Sequence, residues 1–138
     1  CHRTPHRSRT FVRNAGVMVN EVRTLAGALG DRFGGDPTKL ADTAGFLVRR
    51  LGDVPLEAVY VPPRAEHQRP VLTLSSSADR SRYLALALGH HYLRHRREAA
   101  YIYGREGACF DDRRAQREAE EFAVTFLAAA PARETYRA

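Results

Sequence analysis

The stretch from Ala78 to Arg97 constrains the fold most, because it has the length of a helix and apolar residues on two sides. At about 100° per residue, Tyr83, Leu86, His90 and Leu93 share one face. Leu84, Leu88, His91 and His95 fall roughly opposite. A helix lying on a protein surface carries one apolar stripe and one polar face. This pattern instead predicts a helix held between two layers, and therefore a domain with structure on both of its flanks.

The remaining segments supply those layers. Val17, Val19, Val22, Leu25, Ala26 and Leu29 recur at helical spacing, and Gly30 with Gly34-Gly35 ends that run. Asp36-Pro37 gives an N-cap followed by proline at the first helical position. Leu40, Ala44, Leu47, Val48 and Leu51 then predict the inner face of a second helix that stops at Gly52. Leu56–Val61 and Val71–Leu74 read as strands, the first closed by Pro62-Pro63. Ser75-Ser76-Ser77 predicts a cap for the central helix, with Asp79 in its first turn. Tyr101 to Phe110 reads as a loop or weak hairpin, in which Tyr101 and Tyr103 are expected in buried packing. A last helix is expected from about Asp112 to Ala129, with Ala119, Phe122, Ala123, Phe126 and Leu127 inward.

This order predicts an α+β fold, mostly helical, with a small sheet of two to three strands. Residues 1–14 are expected to be a flexible basic arm, 15–131 a single domain and 132–138 a tail. No apolar run reaches the length of a membrane span, and no export signal is recognisable. The two distant cysteines, Cys1 and Cys109, are expected to form neither a disulfide framework nor a Cys-based metal site, so a cytoplasmic location is expected.

The net charge of +6 raises the question of nucleic acid. Arg3, Arg7, Arg9 and Arg13 precede the first acidic residue, Glu21, and supply most of the excess. A basic nucleic-acid-binding module is therefore an alternative resting on the arm, and nucleic acid is not the expected partner. Leu40 to Gly45 faintly suggests a DNA-reading helix-turn-helix, but Phe46-Leu47-Val48 is too apolar to enter a groove.

The chemistry turns on Leu86 to His90. An H-E-x-x-H helix sets two imidazoles one turn apart on zinc, with a glutamate beside the ion as general base. Here His90 stands at the second histidine, Leu86 at the first and Ala87 at the glutamate. His91 and His95 share the zinc-like spacing and are possible alternative ligands, although on a continuous helix they point away from His90.

Arg80-Ser81-Arg82-Tyr83-Leu84-Ala85-Leu86-Ala87-Leu88-Gly89-His90, followed by Glu118-Ala119-Glu120-Glu121-Phe122-Ala123 and Phe126-Leu127, resembles the ImmA/IrrE family of metallopeptidases. The resemblance covers about residues 17 to 130. It implies a zincin-like domain of the kind that cleaves transcriptional repressors, with His90 and Glu118 as metal ligands. It also implies a cleft lined by Tyr83, Leu86 and Glu121. Ala87 removes the general base, a group that contributes about 10²–10⁴-fold. The expectation is thus a catalytically impaired protein that recognises a repressor-type partner, with no zinc required. An active zinc endopeptidase with rearranged ligands is the alternative.

Overall fold

The computed structural model describes residues 9–131, the side chains of 9–18 excepted. Helices α1 (Arg9–Phe33) and α2 (Pro37–Ala44) lead into strands β1 (Leu47–Arg50), β2 (Leu56–Val61) and β3 (Val71–Leu74). Helix α3 (Arg80–Tyr92), strands β4 (Tyr101–Gly104) and β5 (Gly107–Ala108) and helix α4 (Arg113–Leu127) complete an α+β fold. Helix α1 starts at Arg9, so residues 9–14 of the expected arm carry helical backbone. The rest of that arm and the 132–138 tail lie outside the described residues.

The sheet has five strands in the order β1-β3-β2-β4-β5, where two or three were expected. Two local events account for the difference. Gly45 adopts a left-handed backbone (φ 81°) and its N–H closes α2 on the carbonyls of Ala41 and Asp42. The expected long second helix therefore stops after eight residues. Arg69 then clamps the carbonyls of Gly45 and Phe46, both at 2.8 Å, and Leu47–Arg50 pairs in parallel with β3. The apolar positions 47, 48 and 51 fit a helix or a strand, and a glycine able to take positive φ decides between them. Downstream, Gly107 (φ 123°) turns the chain so that β5 folds back on β4, which pairs with β2.

Alternation along each strand builds the core. Ala58 and Tyr60, Leu72 and Leu74, and Tyr101 and Tyr103 all point to the buried side. Helix α3 lies there, and its residues Leu84 to His90 are buried without exception. Gly89 explains how α4 closes the opposite flank. A Cβ at this position would stand 3.1 Å from both the Ala119 Cα and the Phe122 Cβ. The predicted sandwich is therefore built by the sheet on one side of α3 and by α4 on the other.

Capping residues set the ends. Asp36 caps α2 as expected, Asp112 caps α4, and Asp79, not a serine, accepts from Arg82 N–H at the start of α3. Cys109 is disulfide-bonded, which corrects the expectation of separate thiols. Among the described residues no helix is long and apolar enough to cross a membrane.

Candidate functional site

The end of α3 is shorter than its apolar pattern suggests. The helix closes at Tyr92, Leu93 caps it, and Arg94 takes a left-handed backbone (φ 58°). The chain doubles back, and His95 N–H donates to the His90 carbonyl at 2.9 Å. This reversal corrects the expectation that His95 lies with His91, away from His90. The His95 ring instead returns to the His90 ring.

Four side-chain links follow. Tyr103 Oη lies 2.8 Å from His90 Nε2, and His90 Nδ1 lies 2.8 Å from His95 Nδ1. His95 Nε2 is 2.8 Å from Glu118 Oε1, and Arg114 Nε donates to Glu118 Oε2 at 3.0 Å. The chain runs from β4 through α3 and its returning loop into α4. His90 has no exposed surface, and the His95 and Glu118 side chains are 9% and 11% exposed. Aromatic rings wall the inner end: Tyr101 stacks on His90 at 4.2 Å between centroids, and Phe110 meets it edge-on at 5.7 Å.

The carboxylate fixes the direction of the bonds it accepts. Burial pushes the Glu118 acid upward, but the hydrogen bonds and charges of His95 and Arg114 outweigh it and hold it below its ordinary value. At neutral pH Glu118 therefore only accepts, and His95 Nε2 carries a hydrogen. Two assignments give every link one donor and one acceptor, and His90 is neutral in both: His95 Nδ1 accepts from His90 Nδ1–H while His90 Nε2 accepts from the Tyr103 hydroxyl, or His95 Nδ1–H donates to His90 Nδ1 while His90 Nε2–H donates to the Tyr103 oxygen. Burial, aided by the nearby His95, pushes His90 well below the usual histidine range and favours that neutral form. Burial, with the Glu120 charge second, pushes the Tyr103 phenol upward, so it keeps its hydrogen.

This arrangement joins two of the candidate ligands only indirectly, since His95 stands between His90 and Glu118. Leu86 and Ala87 are each 1% exposed and pack in the core. His91 turns the other way, with its ring edge-on to Phe46 at 5.3 Å and its Nδ1 without a hydrogen-bond partner. Tyr83 packs against Tyr103 at 5.6 Å. Glu121 faces α1, where it pairs with Arg23. The sequence pattern gives Tyr103 a packing role and does not mark Arg114. The Arg114–Glu118 spacing of one turn was a readable signal, whereas the Tyr103 link depends on the β2–β4 register.

The residues do not fit a catalytic zinc. Two donors sharing one tetrahedral ion stand about 3.3 Å apart at Zn–N distances of about 2.0–2.1 Å. The His90 and His95 nitrogens are closer, at hydrogen-bond distance. The two nitrogens of His95 face opposite ways, toward His90 and toward Glu118, so no single point is within ligand distance of all three residues. Among the described residues no group of three or more His, Cys, Asp or Glu is arranged to hold a metal. Chemically the site is a largely buried hydrogen-bonded relay that cross-links three elements. In comparisons with known proteins, the chain matches no family model and has no significantly similar curated relative.

Proposed function

We propose that this protein is a non-hydrolytic scaffold of the ImmA/IrrE type that acts by recognising a repressor-type protein. One observation carries the reading: both ring nitrogens of His90 are held by hydrogen bonds, while Leu86 and Ala87 fill the neighbouring positions with buried hydrocarbon. A peptidase zinc needs three protein ligands and an open corner for water, and a proton acceptor beside it. Here the second histidine, His90, is committed to Tyr103 and His95, and Ala87 stands where the carboxylate would follow the first. The order of elements and the glutamate on α4 support the family reading, and the relay supports the loss of hydrolysis.

The rival reading, a zinc endopeptidase with rearranged ligands, draws on the nearness of His90, His95 and Glu118. Metal analysis separates the two. Protein purified from zinc-supplemented medium should hold far less than one equivalent, and added zinc should leave its melting temperature unchanged. A full equivalent that raises the melting temperature, and is lost in Glu118→Ala, would establish the rival. Mixed with a helix-turn-helix repressor encoded beside it, the protein should bind the repressor and leave it uncut.

A further inference from the structure

The loop that follows α3 carries Arg94, Arg96 and Arg97, all exposed. Exposed Arg64, from the loop after β2, reaches across to it, and its Nη1 and Nη2 donate to the Arg96 and Glu98 carbonyls at 3.3 and 2.7 Å. Arg96 Nη1 in turn donates to the Pro63 carbonyl at 3.2 Å. These carbonyls hold two guanidinium groups in place without neutralising them. Among the described residues none of the four arginines has an ion-pair partner. Glu98, the one acid in the loop after α3, turns its carboxylate to the N–H groups of Asp111 and Asp112. Glu66, exposed in the same loop as Arg64, pairs with none of the four. Clustered like charges repel one another, so this corner holds a positive potential that a bound anion would relieve.

A second observation points to the same corner. Three buried side-chain polar atoms among the described residues lack a hydrogen-bond partner, and two of them are Tyr60 Oη and His91 Nδ1. Phe46 packs against both rings, stacked on Tyr60 at 5.7 Å and edge-on to His91 at 5.3 Å. Burial pushes the Tyr60 phenol upward and the His91 imidazole downward, and the Arg96 charge acts on both, against burial at Tyr60 and with it at His91. Tyr60, 1% exposed, therefore keeps its hydroxyl hydrogen. A buried donor near a guanidinium group is best met by an acceptor that is itself negatively charged.

We propose that this corner is an oxyanion site for a phosphate group, with Arg96 at its centre, Arg64 and Arg94 beside it, and Tyr60 Oη and His91 Nδ1 at its floor. The guanidinium fork matches phosphate oxygens, and a dianion answers several unpaired cations better than a carboxylate does. Among the described residues no aromatic ring is exposed on which a base could stack, so a nucleic-acid strand is not the favoured carrier of that phosphate. The site uses no residue of the relay and is independent of the non-hydrolytic reading.

Isothermal titration of the whole chain tests it, with inorganic phosphate in one arm and a phosphoserine peptide in the other. Both should bind, and the unphosphorylated peptide should not. A phosphopeptide bound at least about tenfold more tightly than inorganic phosphate identifies a phosphorylated protein as the source, and equal affinities identify free phosphate. Arg96→Gln should weaken phosphate binding about tenfold or more, and Tyr60→Phe about threefold or more. Arg96 also anchors the Pro63 carbonyl, so Arg94→Gln guards against a folding defect, since the Arg94 side chain makes no hydrogen bond or ion pair among the described residues. That variant should weaken binding at an unchanged melting temperature. Failure of both probes to bind below about 10 mM, or affinities unmoved by all three substitutions, would overturn the proposal.

Discussion

His90 and His95 meet through their Nδ1 atoms at 2.8 Å, although on an uninterrupted helix their side chains would diverge by more than a quarter turn. The left-handed backbone at Arg94 brings them together. This contact links the tyrosine of β4 to the carboxylate of α4. It also occupies the nitrogens that an ion would require.

Removing the middle of the relay should be costly. His95→Ala leaves His90 Nδ1 without its hydrogen-bond partner and Glu118 with Arg114 alone. Breaking such a nearly buried pair from one side should destabilise the fold by about 2–4 kcal/mol, read as a lower urea midpoint at unchanged slope. A loss below about 0.5 kcal/mol would mean that the links contribute little.

Gly89 is required by the approach of α4. Any side chain there must displace the Ala119 backbone or the Phe122 side chain. Gly89→Ala should cost about 1–3 kcal/mol in spite of alanine's higher helix propensity. Thermal unfolding of this variant beside Gly27→Ala provides the control, since a Cβ at Gly27 meets nothing within 4 Å. Gly27→Ala should be neutral or stabilising.

Acid should weaken the protein in two stages. Folded His90 titrates well below its ordinary 6.5, so below that pH the unfolded chain binds the extra proton and stability falls. Its contribution is complete above 6.5 and declines as the pH drops toward the folded value. Glu118, also lowered in the fold, adds a second loss below its ordinary 4.5. Urea midpoints from pH 8 to pH 4 should fall monotonically on the acidic side, and His90→Gln should flatten the upper stage.

Glu98 ties the loop before β4 to the start of α4, because its Oε2 accepts from the N–H groups of Asp111 and Asp112, each at 3.0 Å. Glu98→Ala should raise amide exchange at those two residues and lower stability by about 1–2 kcal/mol. Unchanged exchange there would show that the anchor is dispensable.

Much of this architecture was legible in the sequence. Leu56–Val61 and Val71–Leu74 are strands at the expected bounds because alternation and flanking prolines or serines leave little choice. The central helix is buried on both sides for the reason its apolar pattern gives. What escaped were events set by one backbone angle. Gly45 ends α2 early and frees β1, while Arg94 ends α3 and reverses the chain. Residue periodicity carries no record of either, and a non-glycine residue at positive φ is seldom anticipated. The motif spacing marks His90 and Glu118 as candidates, but it sets His95 on the wrong side because residue periodicity carries the helix past Tyr92.

The central claim, that a hydrogen-bonded chain occupies the place of an ion, has a direct test. Nitrogen-15 NMR of histidine-labelled protein at neutral pH should show His90 neutral, with a single ring hydrogen, and His95 protonated at Nε2. A scalar coupling should pass between the two Nδ1 nuclei across their shared hydrogen. Absence of that coupling, together with imidazole shifts that move on addition of one equivalent of zinc, would contradict the account.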